Sequence, residues 1–109
     1  MKSGKTRIMP KAKRGGPPPI DTSYEAIGKR LKCLRLAFGK TQQQIANIVG
    51  VTVGMISSCE HGGARLSADH MMMLVVEFDA SMDWLYFGTK RHISNELRRK
   101  LDQVDLGSD

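Results

Sequence analysis

Apolar residues recur at helical spacing through most of this 109-residue chain, and no stretch alternates apolar and polar residues long enough to predict a strand. One apolar face has steps of three and four residues and consists of Ile27, Leu31, Leu34 and Phe38. Gly39 follows this face, and glycine is a residue that commonly ends helices. The pattern therefore predicts a first helix that ends next to Phe38.

Threonine and serine residues mark where further helices begin, because their side-chain oxygens accept hydrogen bonds from the first turn of a helix. Two pairs have the spacing of a capping box, Thr22 with Glu25 and Thr41 with Gln44. Single N-cap candidates precede three later apolar segments and are Thr52, Ser67 and Ser81. A sixth segment, about residues 94–104, carries a stripe of Ile93, Leu97, Leu101 and Val104. We therefore expect a compact all-α domain of five helices with an additional C-terminal helix.

Positive charge is concentrated at the start of the chain. The formal net charge is +6, and residues 1–22 hold six basic side chains against one acidic side chain. This segment also contains glycine and proline and has no apolar periodicity, which is typical of a flexible arm. We interpret residues 1–22 as a basic N-terminal arm that attracts phosphates or aids solubility. Residues 23–88 are then the helical domain, and residues 89–109 are a C-terminal helix and tail.

The composition also bears on location. The longest unbroken apolar run, Met71 to Val76, has six residues, whereas a membrane-spanning helix needs about 20. No apolar stretch follows the basic N terminus, so the pattern of a secretory signal is missing. We therefore expect a cytoplasmic protein without a membrane partner.

Groups that bind metals or perform catalysis are sparse. The two cysteines, Cys33 and Cys59, cannot form a four-ligand zinc site by themselves. Cys59 and His61 are two residues apart, and side chains at this spacing point in different directions on a helix. Ser57 and Ser58 have no evident base partner and no nucleophile-elbow motif. We expect no metal, no cofactor and no enzymatic activity.

Residues 41–62, TQQQIANIVGVTVGMISSCEHG, carry the most informative pattern in the chain. Two short helical segments meet at Gly50, which can adopt the positive φ that a sharp interhelical turn often needs. The small Ala46 allows the two helices to approach closely. The angle between them is filled by Ile45, Val49, Val51 and Ile56. This spacing is typical of the helix-turn-helix of DNA-binding proteins.

Four segments extend the similarity: IGKRLKCLR at 27–35, TQQQIANIVGV at 41–51, ISSCEHG at 56–62 and SMDWLYFG at 81–88. Over about residues 24–88, the chain resembles the lambda-repressor-like (Cro/repressor, XRE-type) helix-turn-helix family of phage and bacterial regulators. The resemblance implies a compact five-helix domain whose third helix enters the major groove of double-stranded DNA.

The resemblance also assigns roles to residues. The base-facing positions are Val53, Gly54, Ser57 and Ser58. The phosphate-contacting candidates are Lys40, Gln42, Gly62 and Arg65. A structural ion pair between the first and third helices is implied for Arg35 and Glu60. None of the base-facing residues is the Arg, Asn, Gln or Lys that makes bidentate contacts with bases. We therefore expect either modest selectivity or a contribution from DNA shape and the N-terminal arm.

Several apolar residues have no obvious place in a five-helix core. We expect them to form an interface between two copies, and they are Met72, Val76, Leu97, Leu101 and Val104. Proteins of the family usually bind near-palindromic sites as dimers. The alternative is that the last helix folds back on its own domain.

Together these patterns predict a sequence-selective transcriptional regulator, a repressor that binds a near-palindromic operator as a homodimer. An alternative is an antitoxin that uses the same fold to bind a toxin and to repress its own operon. In that case Ile48, Met72 and the C-terminal stripe contact the toxin. A further alternative is a domain that binds only protein, because Val53 and Gly54 are poor base readers.

Overall fold

A computed structural model describes residues 21–104, and this part of the chain contains six α-helices and no strand. The helices are α1 (Tyr24–Ala37), α2 (Gln42–Val49), α3 (Val53–Glu60), α4 (Ala68–Phe78), α5 (Met82–Phe87) and α6 (Asn95–Asp102). The all-α prediction is therefore confirmed. All of the predicted N-terminal arm except its last two residues, 21 and 22, lies outside the described residues.

Every helix begins at a Ser or Thr whose side chain accepts a backbone N–H from the first turn. The capping box of Thr41 and Gln44 is present with both of its hydrogen bonds. The capping box predicted at Thr22 is wrong, because Ser23 is the N-cap of α1. The carboxylate of Asp21 accepts the N–H of Ser23 at 2.9 Å. In the predicted capping box, the carboxylate of Glu25 would instead accept the N–H of Thr22.

The core lies where α1 packs against α3, α5 and α6, and where α2 packs against α3 and α4. The predicted inner face of α1 is buried at Ile27, Leu31 and Leu34. Phe38 is half-buried, and its ring lies 4.7 Å from the ring of Phe78 between centroids. This aromatic contact joins the end of α1 to the end of α4.

Helix α6 packs on α1 and belongs to the same hydrophobic core. Leu97 is 1% exposed and Leu101 is 5% exposed, so neither side chain can reach a second copy in this arrangement. The prediction that these two leucines form a dimer interface is therefore wrong. Their stripe is covered by the chain's own first helix, which is the alternative that the sequence left open. Val104, the last member of the predicted stripe, is half-buried.

Two features of α1 determine where α3 lies. The first is Gly28, which is buried and faces the end of α3. A Cβ atom at this position would overlap the backbone carbonyl oxygen of Cys59, so only glycine permits this approach of the two helices. Because the obstructing atom belongs to the backbone, no side-chain rotation can make room.

The second feature is a bidentate ion pair. Arg35 donates from Nε to Glu60 Oε2 at 2.7 Å and from Nη2 to Oε1 at 2.9 Å. The Glu60 side chain is only 2% exposed, so its charge depends on these partners. The Nη1 of Arg35 also donates to the carbonyl of Lys40 at 3.1 Å, which ties the α1–α2 loop to the same pair. The predicted ion pair between the first and third helices is present.

We expect Gly28→Ala to lower the free energy of unfolding by at least about 2–3 kcal/mol, because overpacking against backbone forces the helices apart. Chemical denaturation measures this change. Gly54→Ala is the matched control, since its Cβ would meet nothing closer than Thr52 Oγ1 at 3.9 Å. That substitution should raise stability by about 1 kcal/mol through helix propensity. Equal effects of the two substitutions would contradict the proposed packing.

We expect Arg35→Leu and Glu60→Leu each to cost about 3–5 kcal/mol of stability, because each leaves a buried charge without its ionic partner. The double variant should lose much less than the sum of the two, since it removes both charges together. Urea titration of the four proteins gives the coupling free energy. Additive losses would show that the two side chains do not stabilise each other.

Candidate DNA interface

The helix-turn-helix is built by α2 and α3, which pack against each other around a turn at Gly50. Gly50 has φ of 87°, in the left-handed region, and its N–H donates to the carbonyl of Ala46 at 2.7 Å. No atom lies within 4 Å of a Cβ built on Gly50, so the turn requires glycine for its conformation and not for space. Ala46 and Ile56 are fully buried between the helices, as predicted.

The outer face of α3 contains the predicted base-facing residues. Val53 is 40% exposed and Gly54 is also exposed, while Ser57 and Ser58 are half-buried. Met55, which was not predicted, is as exposed as Val53. Its position could have been inferred from the helical period, because the inward residue Ile56 leaves its neighbours on the outside.

The loop after α3 folds back on the C-terminal end of the helix, next to its two serines. The N–H of Gly63 donates to the carbonyl of Ser58 at 2.9 Å, and a Cβ on Gly63 would lie 3.0 Å from Ser58 Oγ. The ring Nδ1 of His61 lies 2.8 Å from the carbonyl of Ser57. The serines therefore lie toward the C-terminal part of the exposed face, and Val53 and Gly54 form its free end.

The candidate phosphate contacts on the N-terminal side of α2 are tied to the ion pair. Gln42 is half-buried and donates from Nε2 to Glu60 Oε1 at 3.1 Å. Lys40 contributes its carbonyl to Arg35 and is itself half-buried. One N–H of the Gln42 amide is therefore engaged inside the protein, which positions this side chain and links α2 to α1 and α3.

The other phosphate candidates lie in the loop between α3 and α4. Gly62 has φ of 84° and packs against Glu25 at the start of α1. Arg65 is exposed, and its guanidinium lies 4.9 Å from the centroid of the Tyr24 ring. A cation–π contact holds the arginine while leaving its charge at the surface. The structure thus divides the predicted phosphate contacts into two groups, one on each loop beside α3.

The two cysteines have the surroundings of core thiols. Burial raises the pKa of the Cys59 thiol, and the neighbouring Glu60 carboxylate raises it further. Burial also raises the pKa of Cys33. The thiolate is the form that binds metals and attacks electrophiles, and a raised pKa suppresses this form of both cysteines at neutral pH. Within residues 21–104, no three His, Cys, Asp or Glu side chains are grouped to hold a metal ion.

None of the helices in the described range is long and apolar enough to cross a membrane.

Two proteins of related sequence are described as uncharacterised HTH-type transcriptional regulators. The one from Rickettsia conorii is 31% identical over 62 residues, which cover 57% of this chain and 50% of that protein. The one from Rickettsia prowazekii is 29% identical over 62 residues, covering 57% of this chain and 48% of that protein. The chain therefore spans about half the length of the curated relatives it matches.

Solved structures share the fold. The restriction-modification controller protein C.AhdI from Aeromonas hydrophila is 25% identical, with a TM-score of 0.53 over 58% of this chain and 96% of that chain. The clp gene regulator ClgR from Corynebacterium glutamicum is 21% identical, with a TM-score of 0.55 over 77% of this chain and 81% of that chain.

The helix-turn-helix family matches residues 31–85, which extend from the middle of α1 into α5. This range includes the turn at Gly50 and both members of the Arg35–Glu60 pair. With half of the sequence matched, the chain belongs to the XRE-type helix-turn-helix family.

Proposed function

We propose that this protein is a repressor that binds a near-palindromic operator as a dimer, with α3 in the major groove. The observation that carries the proposal is the one-sided attachment of α3. Its inner side is held by Ile56, by the Gly28 contact and by the Glu60 ion pair, while Val53, Gly54 and Met55 on its outer side are exposed. A helix presented in this way fits the groove of B-DNA.

The charge distribution supports this orientation. Residues 23–64, which include α1 to α3, carry five basic side chains against two acidic ones. Residues 65–89, which include α4 and α5, carry one basic side chain against four acidic ones. The phosphate backbone attracts the first region and repels the second, so charge favours an approach with α1 to α3, and not α4 and α5, toward the DNA.

A dimer contact is proposed for the exposed apolar side of α4. Val76 is 75% exposed, and Met72 and Met73 are each nearly half exposed. Together with Ile48 and Glu77 they line one shallow depression on the surface. Leu97 and Leu101 are buried in the core. Of the interface residues suggested by the sequence, Met72 and Val76 are the ones that line this depression. Two copies joined here would present two α3 helices to two half-sites.

The same apolar depression favours one other function. An antitoxin would cover Ile48, Met72 and Val76 with a toxin and would still use α3 to repress its own operon. Self-association distinguishes the two functions. If a second copy covers the depression, the same surface is not available to a toxin.

We expect binding to operator-length DNA to weaken steeply with salt, because phosphate contacts release counterions. Lys40→Ala and Arg65→Ala should each reduce the slope of log K against log salt by about 1. Fluorescence anisotropy at several salt concentrations measures both quantities. Arg99→Ala is the control, since Arg99 is an exposed cation of α6 and should leave the slope unchanged. A slope near zero for the wild type would contradict DNA binding.

We expect Val76→Glu to shift the protein from dimer to monomer in sedimentation experiments, because it places two like charges in a self-complementary apolar contact. Affinity for a two-half-site operator should fall at least tenfold, while affinity for a single half-site should not change. Met55→Glu is the matched control for association, since Met55 is exposed on α3. A dimer that survives Val76→Glu would place the interface elsewhere.

A further inference from the structure

The exposed side chains in the first turn of α3 are mainly apolar. The hydroxyl of Thr52 caps the helix by accepting the N–H of Met55 at 3.1 Å, and its own O–H is still available as a single donor. Beyond this cap, Val53 and Met55 each expose 40% of their surface. Ser57 and Ser58 are half-buried and lie nearer to the folded-back loop. An aliphatic side chain and a thioether are thus the groups most available at the helix N terminus.

Gly54 lies at the centre of this exposed end. Ile56 and Cys59 point into the core, and the 100° step of an α-helix places Gly54 on the opposite side. Val53 and Met55 then lie on the two flanks of Gly54. The space in front of Gly54 is open, because a Cβ there would meet only Thr52 Oγ1 at 3.9 Å.

This arrangement has a consequence for contact with bases. Without a side chain at Gly54, the helix backbone can approach the base edges closely, which brings both flanking side chains alongside them. Neither Val53 nor Met55 can donate or accept a strong hydrogen bond. These two side chains therefore do not distinguish the donors and acceptors on base edges.

The major groove offers one apolar feature that distinguishes base pairs, the C5-methyl group of thymine. A cytosine methylated at C5 presents the same group from the same ring position. We propose that Val53 and Met55 select DNA by contact with pyrimidine C5-methyl groups, thymine in unmodified DNA and 5-methylcytosine in methylated DNA. This inference rests on the proposed DNA binding through α3 and specifies the chemistry that α3 recognises.

The test begins with operator DNA selected by the full chain from random duplexes. Each thymine is then replaced in turn by deoxyuridine, which lacks only the methyl group. Burying one methyl group contributes about fourfold in affinity, so a contacted thymine should show about fourfold weaker binding as uracil. At the same positions, a cytosine–guanine pair should bind more weakly than its 5-methylcytosine counterpart. The uracil substitution tests thymine as the source of the methyl group, and the comparison of cytosine with 5-methylcytosine tests methylated cytosine.

Two variants assign the methyl contacts to residues. Val53→Ala and Met55→Ala should each bring the thymine-to-uracil affinity ratio close to one at its own position. Both side chains are exposed, so thermal unfolding should confirm that the fold is kept. Lys40→Ala is the control, since loss of a phosphate contact lowers the affinity for both duplexes and leaves their ratio unchanged.

The outcomes separate this inference from the proposed function. Selective binding with equal affinity for thymine and uracil at every position would overturn the methyl-group inference while DNA binding stands. A ratio that both alanine variants leave unchanged would overturn the assignment to Val53 and Met55. Failure to bind DNA selectively would overturn the inference and the proposed function together.

Discussion

The position of α3 depends on the buried carboxylate of Glu60. This charge is removed from water, and it is stable there only because Arg35 gives it two N–H donors and Gln42 gives a third. Three helices and the α1–α2 loop converge on this group. A displacement of any of them would therefore weaken the hydrogen bonds that stabilise the buried charge of Glu60 or of Arg35. The contact of Gly28 with the Cys59 carbonyl sets the spacing of α1 and α3 at the same place. Together they hold α3 from its inner side and leave its outer side exposed, which is the side that the proposed complex presents to DNA.

The domain has two surfaces of different chemistry. The surface around α3 is flanked by cationic loops, and its exposed helix end carries Val53, Gly54 and Met55. The surface of α4 is apolar and lies in the acidic part of the chain. In the proposed complex, long-range charge brings the first surface to DNA but distinguishes no bases, because every phosphate is alike. In that proposal, selection comes from short-range contacts, from DNA shape and from the geometry of two copies.

Local sequence rules located most of the helices. Thr41, Thr52, Ser67 and Ser81 begin helices as predicted, because capping depends on atoms within one turn. The start of α1 was misplaced by one residue, since Thr22 and Ser23 are adjacent candidates and the Asp21 carboxylate favours Ser23. The Arg35–Glu60 pair came from the family resemblance, because no local rule connects residues that are 25 positions apart. The exposed position of Met55 on α3 was missed because the resemblance did not mark it.

The sequence by itself determined the helical periods, the caps, the glycine turn and the unequal distribution of charge, all of which are properties of neighbouring residues. Only the tertiary structure decided what covers each apolar face. The stripe of Leu97 and Leu101 fits a partner chain as well as it fits α1, because hydrophobic burial has no direction and rewards either contact. The structure places it against α1, leaves Val76 exposed and directs the Gln42 amide toward Glu60. These outcomes depend on which surfaces meet when the whole chain folds.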